Sequence, residues 1–212
     1  MENTKILVIF LSVIVLSLPV QNVFAASVGD IVAKDAETDG AIFTELLGAN
    51  GVATFTISGS TYAIVASDLD DGVQIIDISD PANIVAKDAE TDGANGFTEL
   101  DGASGVATFT IGASTYAIVA SFTDDGVQII DISDPANIVA KDAETDGANG
   151  FTELLGASDV ATFTIGASTY AIVASALDDG VQIIDISNPA NIVARDAETD
   201  GANGFTELVG AN

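Results

Sequence analysis

The sequence predicts an all-β fold built from repeated four-stranded antiparallel sheets, and three observations lead there. The segment Ile-Val-Ala-Lys-Asp-Ala-Glu-Thr-Asp-Gly starts at Ile31, recurs at Ile84 and Ile138, and returns as Ile-Val-Ala-Arg at Ile192, at spacings of 53, 54 and 54 residues. Each period holds short runs rich in β-branched residues, set apart by Gly, Pro, Asp and Ser, which is the pattern of strands and turns. The chain has no Cys, so neither disulfides nor thiolate metal sites can hold it together, and sheet packing must do so. Aligning 84–137 with 138–191 leaves five differences: Asp101/Leu155, Gly105/Asp159, Phe122/Ala176, Thr123/Leu177 and Asp134/Asn188. So regular a period marks a repeat architecture.

The N-terminus reads as a secretory leader. Lys5 precedes an apolar run from Ile6 to Val20, and Val23-Phe24-Ala25-Ala26 supplies small residues for cleavage after Ala25. The run falls short of the roughly 20 residues that span a bilayer. No later stretch is apolar enough to cross a membrane. Residues 1–25 are thus expected to be a signal peptide, residues 26–212 the repeat region, and the location secreted or cell-surface. The 32 acids against five bases repel nucleic acid phosphates and anionic lipid. Such a surface favours solubility and can attract cations.

Four strands fill each repeat. In Gly105–Ile111, Ala107, Phe109 and Ile111 alternate with Val106, Thr108 and Thr110, the period of a strand. After the turn Gly112-Ala113-Ser114, Thr115–Ser121 is a second strand, apolar on both faces. Asp124-Asp125-Gly126 is a hairpin turn, because Asp-Gly accepts the positive φ such turns need. Val127–Ile132 is a third strand, and Ser133-Asp134-Pro135 turns the chain again. Ile138–Lys141 is a fourth strand, followed by a long polar connection. Continuous apolar runs in the second and third strands imply burial on both faces. Lys141 marks the fourth as an edge strand, where a charge discourages edge-to-edge pairing; an anion site there is the alternative. A four-stranded sheet covered on both faces and open at one edge is a propeller blade. The blades are expected at about 51–93, 105–147 and 159–201, with an extra outer strand near Asp30–Lys34.

These residues resemble the LVIVD-repeat family of extracellular β-propeller-like proteins. The resemblance rests on Tyr62-Ala63-Ile64-Val65-Ala66-Ser67 and Asp71-Gly72-Val73-Gln74-Ile75-Ile76-Asp77-Ile78-Ser79-Asp80-Pro81, which recur at Tyr116–Pro135 and Tyr170–Pro189. A second Pro frequent in the family is absent; Ile84 and its equivalents stand there. The resemblance implies a propeller exposed outside the cytoplasm and carries no catalytic residues with it.

Propellers have four to eight blades, and three do not close a conventional ring. The last residues, Phe205–Asn212, match the linker Phe43–Asn50 that precedes a first strand. Three architectures answer this: one portion of a longer repeat array, which the missing cap favours; a homo-oligomer in which two copies make six blades; or an open arc.

The connection after the fourth strand holds the one constellation with cofactor chemistry. Asp88, Glu90, Asp92 and Glu99 read D-x-E-x-D-G-x5-E, as do Asp142, Glu144, Asp146 and Glu153, and again Asp196, Glu198, Asp200 and Glu207. Calcium loops place oxygen ligands at positions 1, 3, 5 and 12 with Gly at 6. Calcium is therefore the cofactor the spacing suggests. Glu at position 3, Asn95 at position 8 and the lack of flanking helices depart from an EF-hand. In the first repeat, Glu45 falls one position short. A solvated acidic loop is the plain alternative. Phe97 and Leu100 are expected to tuck beneath it, and Tyr116 to pack in the core.

Near-identical repeats argue against an enzyme, since catalytic groups need unlike environments and Asp124 and Asp125 recur in every repeat. The expectation is a structural or interaction module that binds an extracellular protein or glycan. A calcium-binding adhesion or matrix component is the alternative.

Overall fold

The computed structural model describes residues 33–211. The expected leader, its expected cleavage site and most of the expected outer strand at Asp30–Lys34 lie outside them. Twelve strands run in order among the described residues: β1 (Ala49–Ile57), β2 (Ser60–Ser67), β3 (Gly72–Asp77), β4 (Val85–Thr91), β5 (Ala103–Ile111), β6 (Ser114–Ser121), β7 (Gly126–Asp131), β8 (Val139–Thr145), β9 (Ala157–Ile165), β10 (Ser168–Ser175), β11 (Gly180–Asp185) and β12 (Val193–Thr199). They form three antiparallel meanders, β1-β2-β3-β4, β5-β6-β7-β8 and β9-β10-β11-β12, each with its fourth strand at an edge. The sheets form a β-propeller-like array that does not close into a ring.

The fourth strands are longer than the alternation suggests. β8 continues past Lys141 to Thr145 because Asp142, Ala143 and Glu144 still pair with β7, so the first acids of each D-x-E-x-D segment sit on a strand instead of a loop. A bulge opposite Ile129/Ile130 absorbs one residue. Each edge cation crosses to a carboxylate on the third strand: Lys87 to Asp77 at 3.2 Å, Lys141 to Asp131 at 3.4 Å and Arg195 to Asp185 at 2.6 Å. Exposed pairs of this kind are worth at most about 1 kcal/mol.

Packing between sheets dominates the energetics. Between the first and second sheets, Ile64, Val73 and Ile75 meet Ala117, Val119 and Ile130, with Phe97 and Leu100 wedged in from the linker. Between the second and third, Ile118, Val127 and Ile129 meet Ala171, Val173 and Ile184, with Phe151 and Leu154 in the same role. Full burial of one such side chain contributes about 1.5–3 kcal/mol, so either interface outweighs all three ion pairs. Tyr116 packs against this core and stacks on Phe109 at 5.5 Å.

The inner strands lie side by side. Thr108 Oγ1 donates to Thr54 O at 3.3 Å, and Thr162 Oγ1 to Thr108 O at 3.2 Å. Backbones approach so closely that a Cβ on Gly51 would collide with Ser104 O, and one on Gly105 would stand 2.6 Å from Asp159 Cα. In β9 the equivalent residue is Asp159, which is exposed. The outer faces of the array are open: Val52 is 65% exposed where Val106 and Val160 are 8% and 6%. Residues 35–47 cover the first sheet as the linkers cover the others, with Phe43 buried, Asp35 Oδ2 accepting from Ile84 N at 2.8 Å and Leu47 N donating to Asp70.

Candidate functional site

The linkers and the hairpins between second and third strands gather at one end of the sheets. This acidic end face is the candidate site. Each hairpin carries two aspartates before a glycine. The second has left-handed backbone, with φ of 55° at Asp71, 56° at Asp125 and 53° at Asp179, which Asp tolerates better than most residues. The two carboxylates reach in different directions. Asp124 Oδ2 accepts from Asp101 N at 2.8 Å, on the linker entering its own sheet. Asp125 Oδ1 accepts from Gly156 N at 2.7 Å, on the linker entering the next. Asp70 with Leu47 and Asp71 with Gly102 repeat this, as do Asp178 with Leu155 and Asp179 with Gly210. Every hairpin is thus tied to two successive linkers.

Beneath each hairpin lies a buried glutamine. Gln128 is 1% exposed; its Oε1 accepts from Thr98 N at 3.1 Å, and its Nε2 donates to Asp142 O at 2.9 Å. Gln74 and Gln182 make the same bonds. The side-chain amide joins the linker, the third strand and the fourth strand in one contact set.

The residues of the proposed calcium loops are placed apart. Asp88 Oδ2 accepts from Ile138 N of the next sheet at 2.7 Å, and Asp142 from Ile192 N likewise. Asp196 caps its neighbour Ala197. Glu90, Glu144 and Glu198 accept from Asn95, Asn149 and Asn203. Asp92, Asp146 and Asp200 accept from the amides of Leu100, Leu154 and Leu208. Glu99 and Glu153 turn under the glycines of the hairpins, and Glu207 is exposed. Among the described residues, no group of three or more acidic, His or Cys side chains is placed to hold a metal ion.

One carboxyl oxygen at each joint has no hydrogen-bond partner: Oε2 of Glu45, Glu99 and Glu153. Burial, reinforced by surrounding aspartates, raises the Glu45 and Glu99 carboxyls to about 7. Burial also raises Asp124 and Asp178, against the amide each accepts from. At the opposite end Asp77 is held below the usual range by the Ser79 hydroxyl and amide and by Lys87.

The sequence shows the acids but hides their work. Asp124 and Asp125 read as turn formers, yet both hold linker amides. The glutamine carries a visible signal, a lone polar side chain inside Val-Gln-Ile-Ile. Asp125→Ala should lower stability by about 1.5–3 kcal/mol, the range for a hydrogen bond to a charged acceptor, and Asp125→Asn by less; denaturant unfolding reads both.

The end face also carries exposed apolar side chains, Leu69, Phe122 and Leu177, one from each hairpin. Phe122 borders a cleft of about 350 Å³ lined by Asn50, Asp68, Ser104 and Ser158. Three of the five differences between repeats, at 101/155, 122/176 and 123/177, fall on this end face.

The LVIVD repeat matches residues 55–89, 114–143 and 168–195. No curated protein matches the chain. Among solved structures, a functionally unknown protein from Desulfotomaculum acetoxidans superposes with a TM-score of 0.52 at 12% identity, over 71% of this chain and 42% of its own. The exo-β-1,3-galactanase of Phanerochaete chrysosporium gives 0.54 at 14%, over 80% and 42%. The periplasmic gluconolactonase of Pseudomonas aeruginosa gives 0.52 at 11%, over 69% and 38%. The chain therefore spans about two fifths of each of these structures, and at such identities the likeness shows the fold alone.

Proposed function

Given that this chain is an LVIVD-repeat protein with three repeats, we propose that it is a secreted or cell-surface binding module without catalytic activity, whose acidic end face takes a cationic, partly apolar segment of a partner protein. The observation that carries this reading is the end face itself, where exposed Leu69, Phe122 and Leu177 stand among aspartates. Carboxylates steer a cationic partner in, and the apolar side chains hold it. Three of the five differences between near-identical repeats fall there, so the face is patterned while the scaffold is constant. The hairpin aspartates are engaged by backbone amides, which suits positioning better than hydrolysis. The periplasmic setting of one structural neighbour and the apolar leader favour an extracytoplasmic location.

The test is calorimetric titration with an amphipathic Lys/Leu peptide and with a Glu/Leu control. The Lys peptide should bind, weaken with salt, and lose about tenfold in affinity in the Leu69→Ser, Phe122→Ser, Leu177→Ser variant, roughly 1.4 kcal/mol. Equal binding of both peptides, or hydrolysis of a lactone or a β-1,3-galacto-oligosaccharide, overturns the reading.

A further inference from the structure

We propose that Glu45 and Glu99 are proton-operated clasps: the neutral carboxylic acid closes the joint between hairpin and linker, and its ionisation loosens that joint. The geometry comes first. Oε2 of each residue is shielded from solvent and receives no hydrogen bond. A Cβ on Gly126 would collide with Glu99 Oε2 and stand 2.7 Å from the carbonyl oxygen of Glu144; a Cβ on Gly72 would collide with Glu45 Oε2 and stand 2.6 Å from that of Glu90. The orphan oxygen thus shares a small space with a backbone acceptor. A carboxylate there offers a second acceptor, whereas a carboxylic acid brings the missing donor.

The backbone that carries each carboxyl is pinned. Ser67 Oγ and Ser121 Oγ donate to the backbone oxygens of Glu45 and Glu99, each at 2.6 Å. The charged groups that act on Glu99 are all acids: Asp92 just past β4, Asp124 and Asp125 of the hairpin, and Glu144 of β8. Those acting on Glu45 are Asp39 of its own segment, Asp70 and Asp71 of the hairpin, and Glu90 of β4. The cations Lys87 and Lys141 are paired with Asp77 and Asp131. Glu153 differs, because its Oε1 accepts from Thr199 Oγ1 at 2.6 Å.

The direction of the pH dependence follows. Burial and the neighbouring acids raise both carboxyls from 4.5 to about 7. Below 4.5 both are neutral whether the chain is folded or not, and they contribute nothing to pH dependence. Between 4.5 and 7 the unfolded chain ionises while the folded one keeps its protons, so stability falls as pH rises. Above 7 the full penalty is in place. Asp124 and Asp178, also raised, act in the same direction. Asp77, Asp131 and Asp185, all lowered, act oppositely but only below about pH 4.

The experiment is a thermal melt of the whole chain at pH 5 and pH 8 in EDTA, comparing wild type with Glu45→Gln, Glu99→Gln and the double variant. Wild type should melt roughly 5–10 °C lower at pH 8. The double variant should lose at least half of that fall. Equal falls in wild type and double variant overturn the proposal. If the variants do not fold, carboxyl-carbon NMR titration of the wild type decides: midpoints near 7 for Glu45 and Glu99 support it, and midpoints near 4.5 refute it.

Discussion

Gly105→Asp should part the second sheet from the third. A Cβ at this position would stand 2.6 Å from Asp159 Cα and 3.0 Å from Ser158 O, so two backbones must move apart. The new carboxylate would also enter a buried position beside the Asp159 carboxylate, whose Oδ1 stands 3.0 Å from that Cβ, and would meet like charge and a carbonyl oxygen there. Unpaired buried charge and overpacking each cost several kcal/mol, and about 3–5 kcal/mol together is expected. At about 2–4 °C per kcal/mol for a domain of this size, the melting temperature should drop by roughly 10 °C or more. Limited proteolysis should gain a cleavage site in the linker 146–156. The reverse change, Asp159→Gly, should stay within about 0.5 kcal/mol, because Asp159 is exposed. A Gly105→Asp variant that melts within 2 °C of wild type would falsify the close inner-strand docking.

Gln128→Leu should be nearly as damaging, although it conserves volume and adds hydrophobicity. The substitution removes partners from Thr98 N, Asp142 O and Ile129 O in one step. Each buried polar group left unpaired costs about 1–3 kcal/mol, so a loss of about 3–5 kcal/mol outweighs the gain from one more apolar side chain. Gln128→Glu keeps an acceptor for Thr98 N but puts a carboxylate against Asp142 O, and should be worse at pH 8 than at pH 5. Urea unfolding at both pH values checks each outcome.

How far the fold shows in the sequence depends on which interaction decides each element. Apolar alternation around Phe109 and the runs around Ile118 and Ile129 reveal three strands of each sheet, because burial sets their pattern. The fourth strand is legible only as far as Lys141. Its continuation through Asp142, Ala143 and Glu144 has poor strand propensity and is held by pairing to β7, which no local pattern announces. The same fact bears on the calcium reading. The spacing of Asp88, Glu90, Asp92 and Glu99 describes a loop, but Asp88 and Glu90 lie on a strand, and Asp88, Glu90 and Asp92 accept from three separate donors, Ile138 N, Asn95 Nδ2 and Leu100 N. The covering of the first sheet by residues 35–47 was equally hidden: the segment looks like a stray linker until Phe43 and Asp35 are seen in place. Phe97 and Leu100, by contrast, follow directly from being large apolar residues in a polar connection, and both are buried.

The ties at the end face have a consequence for how the chain assembles. Blades that are nearly interchangeable in sequence could trade neighbours, and misassembly between like units is a known hazard of repeat proteins. Here a hairpin aspartate finds its linker amide 23 or 31 residues away, and the glutamine finds its threonine 30 residues away. Separation along the chain does not choose between copies: Thr152 lies 24 residues from Gln128 and Gly102 lies 23 from Asp125, both nearer than the partners actually used. Loop lengths this similar differ little in closure entropy, so order of emergence does the sorting: Thr98 precedes Gln128 and Thr152 follows it, and Gly102 is held by Asp71 before Asp125 arrives. A nascent chain emerging from N to C can lock each blade onto the last before a competitor exists.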